Sequence, residues 1–193
     1  FVVTMASMAI AGSIALVLSG ASSIPGFSSA FRFICSGMIL NAPCAFWISV
    51  AVFIGLWIIL HHTSFGTSIF GLGGNEEATR FAGINTILAK FLVYVISGIC
   101  AGIGAVVMTA RMNAAHPWVC QGFEFDAICA VIVGGTSFIG GEGGLLRTII
   151  GVAVIVILRN GLNIIGMHPS LQVSFIGLCL VLAVTYDSLR RRS

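Results

Sequence analysis

Residues 91–110 run for twenty positions without a charged side chain, and this run constrains the chain more than any other feature. As a helix it is about 30 Å long, which matches the hydrocarbon thickness of a bilayer. Further apolar runs occupy residues 2–19, 43–60, 146–165 and 171–186. Only 8% of the residues are charged and 58% are hydrophobic, whereas a soluble domain carries roughly 25% charged residues. So few charges exclude an ordinary cytosolic enzyme, a disordered tail and a free nucleic-acid binder. The net charge is +3 and the only basic cluster is Arg190-Arg191-Arg192. A phosphate-backbone footprint needs clustered Lys and Arg on one face, so no nucleic-acid partner is expected. The expectation is an all-α, polytopic transmembrane helical bundle, one domain over residues 1–193, with the lipid bilayer as its solvent. The chain opens at Phe1 without a Met or a basic n-region, and it reads as N-terminally truncated.

The stretch SGASSIPGFSS reads as a loop. The stretch FRFICSGMILNAP is too short to span and suits the interface. Trp47 and Trp57 are spaced like interfacial anchors. The six cysteines are scattered without a CxxC and read as small hydrophobes, Cys35 and Cys44 being the pair to watch. His61, His62, His116 and His168 fall at span ends or in loops, away from any ligand cluster, so no metal is expected.

Residues 125–134 form an apolar run of about 15 Å as helix, half a membrane. It ends at Gly134-Gly135-Thr136-Ser137, followed by Gly140-Gly141-Glu142-Gly143-Gly144. The helix and its glycine-rich tail together are expected to cross as a discontinuous segment. Irregular backbone at that depth is tolerated only where protein or water satisfies it, so a broken helix points to a transport path. Placing residues 63–90 in the cytoplasm puts Arg80, Lys90, Arg147 and the terminal arginines inside, with Arg32 and Arg111 outside. The C-terminus is then cytoplasmic.

The segment GGNEEATRFAGIN, residues 73–85, is the most informative. Asn75 is a good N-cap. Glu76 and Glu77 complement the helix dipole. Ala78, Phe81 and Ala82 share one apolar face, and Gly83 can end the helix in the left-handed region. The product is a two-turn helix outside the bilayer, too short to stand alone. These residues leave two readings open: a solvated connector, or a docking helix for a cytoplasmic partner.

Together with FEFDAICAVIVGGTSFIGGEGG and the later NGLNIIGMHPSLQ, this segment resembles the permease subunits of bacterial ABC importers for monosaccharides of the ribose, galactose, xylose and arabinose type. Those are akin to branched-chain amino acid permeases, and the chain resembles the C-terminal two-thirds of such a subunit. The resemblance implies a permease domain in the bacterial inner membrane whose residues 73–85 are the cytoplasmic coupling segment. Asn75, Glu76, Glu77, Ala78, Arg80 and Gly83 would carry contact with the ATPase. It implies ATP-binding subunits, a second permease copy and a periplasmic sugar-binding protein as partners. Import would proceed by alternating access.

Gly134, Gly135, Thr136 and Ser137 offer backbone and hydroxyl groups suited to a neutral sugar on a low-affinity path, with Asn160 and Asn163 also placed along it. The other reading is that glycines and hydroxyls merely permit close helix packing. Glu124 and Asp126 match the helix dipole and are candidates for contact with the binding protein. Arg159 lies inside a span, where eleven Ile, Val and Leu residues offset its insertion cost of about 3 kcal/mol. It must snorkel, pair or line water, and Asp187, Glu124 and Asp126 are all conceivable partners. Gly98 and Gly102 form a GxxxG that can pack tightly against another helix, either at a subunit contact or, as expected here, within the subunit.

The glycine-rich run contains neither GxxxxGK[ST] nor GxGxxG. The chain is therefore expected to carry no cofactor, with ATP bound by a separate subunit. No nucleophile–base or metal constellation marks an enzyme. The rival reading is an ATP-independent channel or ion-coupled carrier. Such proteins show intramembrane acids or His relays, and no acid falls in the middle of a predicted span.

Overall fold

The structure is a computed structural model that describes residues 2–39, 41–137 and 140–190. The side chains of residues 169, 170, 180, 182, 184 and 186–190 lie outside the described set, and with them Asp187 and the terminal arginines. Among the described residues the order is α1 (Val2–Ser19), β1 (Ile24–Pro25), α2 (Ser29–Ser36), β2 (Met38–Ile39), β3 (Ala42–Pro43), α3 (Cys44–His62), α4 (Ser64–Gly74) and α5 (Glu76–Phe81). There follow α6 (Thr86–Met112), β4 (Ala114–Ala115), α7 (Phe123–Val133), α8 (Leu145–Ile164) and α9 (Pro169–Arg190). The all-α expectation holds, with two-residue strand pairs as the only additions among the described residues.

Helices α1, α3, α6 and α8 are each long and apolar enough to cross a membrane. Large apolar side chains such as Val17, Leu18, Phe91 and Ile157 stand exposed on them. In water such faces would drive aggregation; in lipid they meet a matching solvent. Helix α6 has 27 residues and starts earlier than residue 91, because the Asn85 side chain caps it by accepting from the Leu88 N–H at 3.1 Å. Lys90 and Arg111 on α6 are separated by about 31 Å of helix, close to the thickness of the hydrocarbon core.

The chain divides into two compact units, residues 1–55 with 93–120, and residues 56–92 with 121–193. In the first, the stretch expected to be a loop contributes β1. It pairs antiparallel with β4, Ile24 opposite Ala115 and Pro25 opposite Ala114. The stretch assigned to the interface begins with α2, capped by the Ser28 hydroxyl accepting from the Phe31 N–H at 3.4 Å. It continues into the β2–β3 pair, where the Trp47 indole N–H donates to the Ile39 carbonyl at 3.0 Å. Cys35 and Cys44 both carry free thiols.

In the second unit α7 packs against α8 and α9. Its core is Cys129, Ala130, Ile155 and Ile176, with Leu158 against them. Glycines set the α7–α8 distance. A Cβ on Gly134 would lie 2.5 Å from the Arg147 carbonyl oxygen, and one on Gly151 would overlap the Ala130 carbonyl. This corrects the expectation for Gly98 and Gly102. A Cβ on either would meet nothing within 4 Å, so that face of α6 is not in tight packing against another described helix. A second departure is α4, unmarked in the sequence because its residues are rich in glycine, a poor helix former. It begins after the extended backbone of Thr63, where Gly66 sits against the Leu60 carbonyl with no room for a Cβ.

Candidate functional site: a capped external helix and a broken span

Helix α5 is built by the residues that the sequence singles out. Asn75 accepts from the Ala78 N–H at 3.1 Å through its side chain. Asn75 is at once the C-cap of α4 and the N-cap of α5. At the other end Gly83 has φ +84°. The Gly83 and Ile84 N–H groups return to the Arg80 and Thr79 carbonyls at 3.0 and 3.3 Å, a Schellman ending. Glu76 reaches Lys90 on α6 with 2.5 Å between Oε1 and Nζ, and Glu77 and Arg80 are exposed.

The shared apolar face of α5 points outward. Ala78 and Ala82 are exposed and Phe81 is 90% exposed, whereas Thr79 is buried. The Thr79 hydroxyl donates to the Asn75 carbonyl at 2.8 Å and stands beside Gly71, where a Cβ would come within 3.1 Å of it. Thr79 therefore seats α5 on α4 and turns the apolar face outward. A two-turn helix, unstable alone, is thereby held with its phenyl ring free for another surface.

The half-helix is α7, eleven residues and about 16 Å long. It ends in a second Schellman motif: Gly135 has φ +83°, and Gly135 and Thr136 N–H groups donate to the Ile132 and Val131 carbonyls at 2.8 and 3.1 Å. A Cβ on Gly143 would lie 2.6 Å from Thr136 Cγ2, so Thr136 is folded against the returning loop. Its hydroxyl is buried without a described hydrogen-bond partner. Ser137 N–H donates to the Glu142 carbonyl at 3.0 Å.

Glu124 accepts from the Gly122 N–H at 3.1 Å, stabilising the start of α7. Asp126 is the partner of Arg159, Oδ2 to Nη1 at 2.5 Å, and both are largely buried. The Arg159 guanidinium also lies 5.0 Å above the Phe123 ring. Of the conceivable acids, Asp126 is the one seen paired with Arg159 among the described side chains, and Asp187 lies outside them. Asn160 and Asn163 are exposed on α8. Sequence reasoning missed Gln172, 5% exposed. Its amide N–H groups donate to Asn163 Oδ1 at 2.8 Å and to the Met167 carbonyl at 3.0 Å, tying the α8–α9 turn. The signal was a lone Gln one turn into an apolar span, beyond the turn residues 166–170.

The first unit holds a cavity of about 350 Å³ between the ends of α1 and α6, lined among others by Leu18, Ile24, Met108 and Met112. None of the residues singled out as site candidates lines it.

Comparison with known proteins gives the family of the chain. The chain is 36% identical to the ribose import permease protein of Escherichia coli over 192 residues, 97% of this chain and 60% of that one. It is 37% identical to the D-allose transport system permease protein of Escherichia coli, covering 98% and 58%. The L-arabinose transport system permease protein of the same organism is 28% identical, covering 100% and 58%. The chain thus spans about three-fifths of the length of these relatives. No solved structure matches it. The family described as the permease component of the branched-chain amino acid transport system matches residues 1–184, and the chain belongs to that family.

Proposed function

We propose that this chain is the membrane-spanning permease part of an ATP-driven importer for a monosaccharide. The observation that carries the reading is α5: a short, doubly capped helix outside any span, its Phe81 ring outward and its first turn tied to α6. Such a helix is stable only as part of something larger, and it offers a ready-made surface to an ATP-binding subunit. Asn75 and Gly83 shape it, Glu76 fixes it, and Ala78, Glu77 and Arg80 face the partner. The relatives named for ribose, allose and arabinose transport supply the substrate class.

A periplasmic binding protein delivers the sugar, and of the two candidate acids Glu124, at the start of α7, is its contact, because Asp126 is held by Arg159. Two ATPase subunits close on the cytoplasmic side, where the C-terminus also lies. Their movement passes through α5 into the bundle, and a path shared with a second permease copy opens. Gly134, Gly135, Thr136, Ser137, Asn160 and Asn163 serve that path. The chain performs no covalent chemistry and holds no cofactor; ATP stays on the separate subunit. The location is the bacterial inner membrane.

The test is purification of the full-length protein from native membranes, followed by reconstitution. The expected result is co-purification of an ATPase, and uptake of labelled ribose, allose or arabinose that requires both ATP and the binding protein. Uptake that persists without ATP overturns the reading in favour of the channel or carrier.

A further inference from the structure

Two glycine segments far apart in sequence meet backbone to backbone in the second unit. A Cβ on Gly73, in the last turn of α4, would overlap the Gly141 amide nitrogen. A Cβ on Gly140 would lie 2.9 Å from the Gly73 carbonyl oxygen, and one on Gly141 would lie 2.9 Å from Gly74 Cα. The contact is reciprocal, and no side chain stands between the two segments to absorb motion. Gly140 and Gly141 have φ of +108° and +78°, so the loop is also shaped for glycine.

The segments on either side give this seam its meaning. On one side Gly73 is two residues from Asn75, the shared cap of α4 and α5, and Thr79 locks α5 onto Gly71. Helix α4 and helix α5 therefore move together. On the other side Ser137 N–H closes the loop onto the Glu142 carbonyl. Thr136, packed against Gly143, follows the last turn of α7 directly. We propose that the contact of Gly73 with Gly140 and Gly141 positions the broken span and transmits displacement of α5 to it, residues 134–137 and 140–144 moving when the partner moves the helix. This rests on the coupling role proposed for α5, and it names the residues through which that role acts. Packed backbones suit the task because close-packed contacts pass on small shifts rather than deform.

The glycines provide an internal control. A Cβ on Gly74 would meet nothing within 4 Å, although it neighbours Gly73. The experiment uses the assembled transporter with full-length permease, carrying Thr136→Cys and lacking the cysteines at 35, 44, 100, 120 and 179; Cys129 is fully buried and stays. The rate of N-ethylmaleimide labelling is compared without nucleotide and in the vanadate-trapped state. With the seam intact the rate changes severalfold on trapping. Gly73→Ala is expected to abolish that change and Gly74→Ala to keep it, with the ATPase co-purifying in both. Gly141→Asn, which tolerates the left-handed backbone but crowds Gly74, repeats the loss from the opposite side and covers the case in which Gly73→Ala fails to assemble. An unchanged response in both seam variants, an equal loss in Gly74→Ala, or no response with the seam intact overturns the inference. Absence of an ATPase from the unmutated complex sinks the coupling role itself, which separates the two failures.

Discussion

Arg159 Nη1 and Asp126 Oδ2 lie 2.5 Å apart between α8 and α7, with the same guanidinium 5.0 Å above Phe123. This pair explains how an arginine well inside an apolar helix is accommodated. The acid sits in the first turn of the half-helix, so the pair also fixes where the broken span begins.

Removing one partner strands the other in an apolar surrounding, which costs about 3–5 kcal/mol. Asp126→Ala and Arg159→Ala are each expected to lower the melting temperature of the detergent-solubilised protein strongly. The double variant should lose less than the sum, by a coupling of about 0.5–3 kcal/mol. Strict additivity in that cycle would show that the pair contributes nothing.

Asn75→Ala removes the side chain that accepts from the Ala78 N–H, a loss of about 1 kcal/mol. For a helix of six residues that is enough to fray it. Trypsin cleavage after Arg80 in the folded protein is expected to speed up severalfold, with the global melting temperature nearly unchanged. Equal cleavage rates would mean that the cap does not hold the helix.

Gly151→Ala places a Cβ on the Ala130 carbonyl and should cost about 1–3 kcal/mol by overpacking. Gly98→Ala and Gly102→Ala, with open space around each Cβ, should be neutral or slightly stabilising, since Ala is the better helix former by about 1 kcal/mol. Thermal denaturation of the three variants side by side checks the contrast.

The Glu76–Lys90 pair is half exposed on both sides, and exposed pairs contribute only about 0.2–1 kcal/mol. The double variant Glu76→Lys with Glu77→Lys should therefore keep its membrane level. Uptake is expected to fall about five- to hundredfold, the range of an ordinary coupling free energy. Unchanged uptake would refute the coupling role of these acids.

The long spans were legible because lipid admits only apolar surface over a fixed thickness, which leaves a run that needs no partner to be read. Helix α5 was legible because Asn75, Glu76 and Gly83 act on backbone within a turn of themselves. Its orientation was not. The spacing of Ala78, Phe81 and Ala82 shows that they share a face but not which way it points, and Thr79 is the residue seated on α4. Helix α4 escaped because its glycines read as loop, while its start depends on Gly66 backing onto Leu60. The choice of Asp126 for Arg159 is likewise tertiary: it depends on how α7 lies against α8. Gly134 and Gly135 were legible as the end of the half-helix, and Gly73 touching Gly141 was not, since no local pattern announces a meeting of two loops.

Lys90 and Arg111 bracket the apolar length of α6, and the first of them also holds Glu76. A helix with ends spaced in this way gauges the membrane around it. In a bilayer thinner or thicker than its apolar stretch, α6 must tilt or the lipid must deform, at a modest cost for each ångström of mismatch. The anchor of α5 shifts in depth with it. Acyl-chain length is then expected to set how far α5 stands from the headgroups.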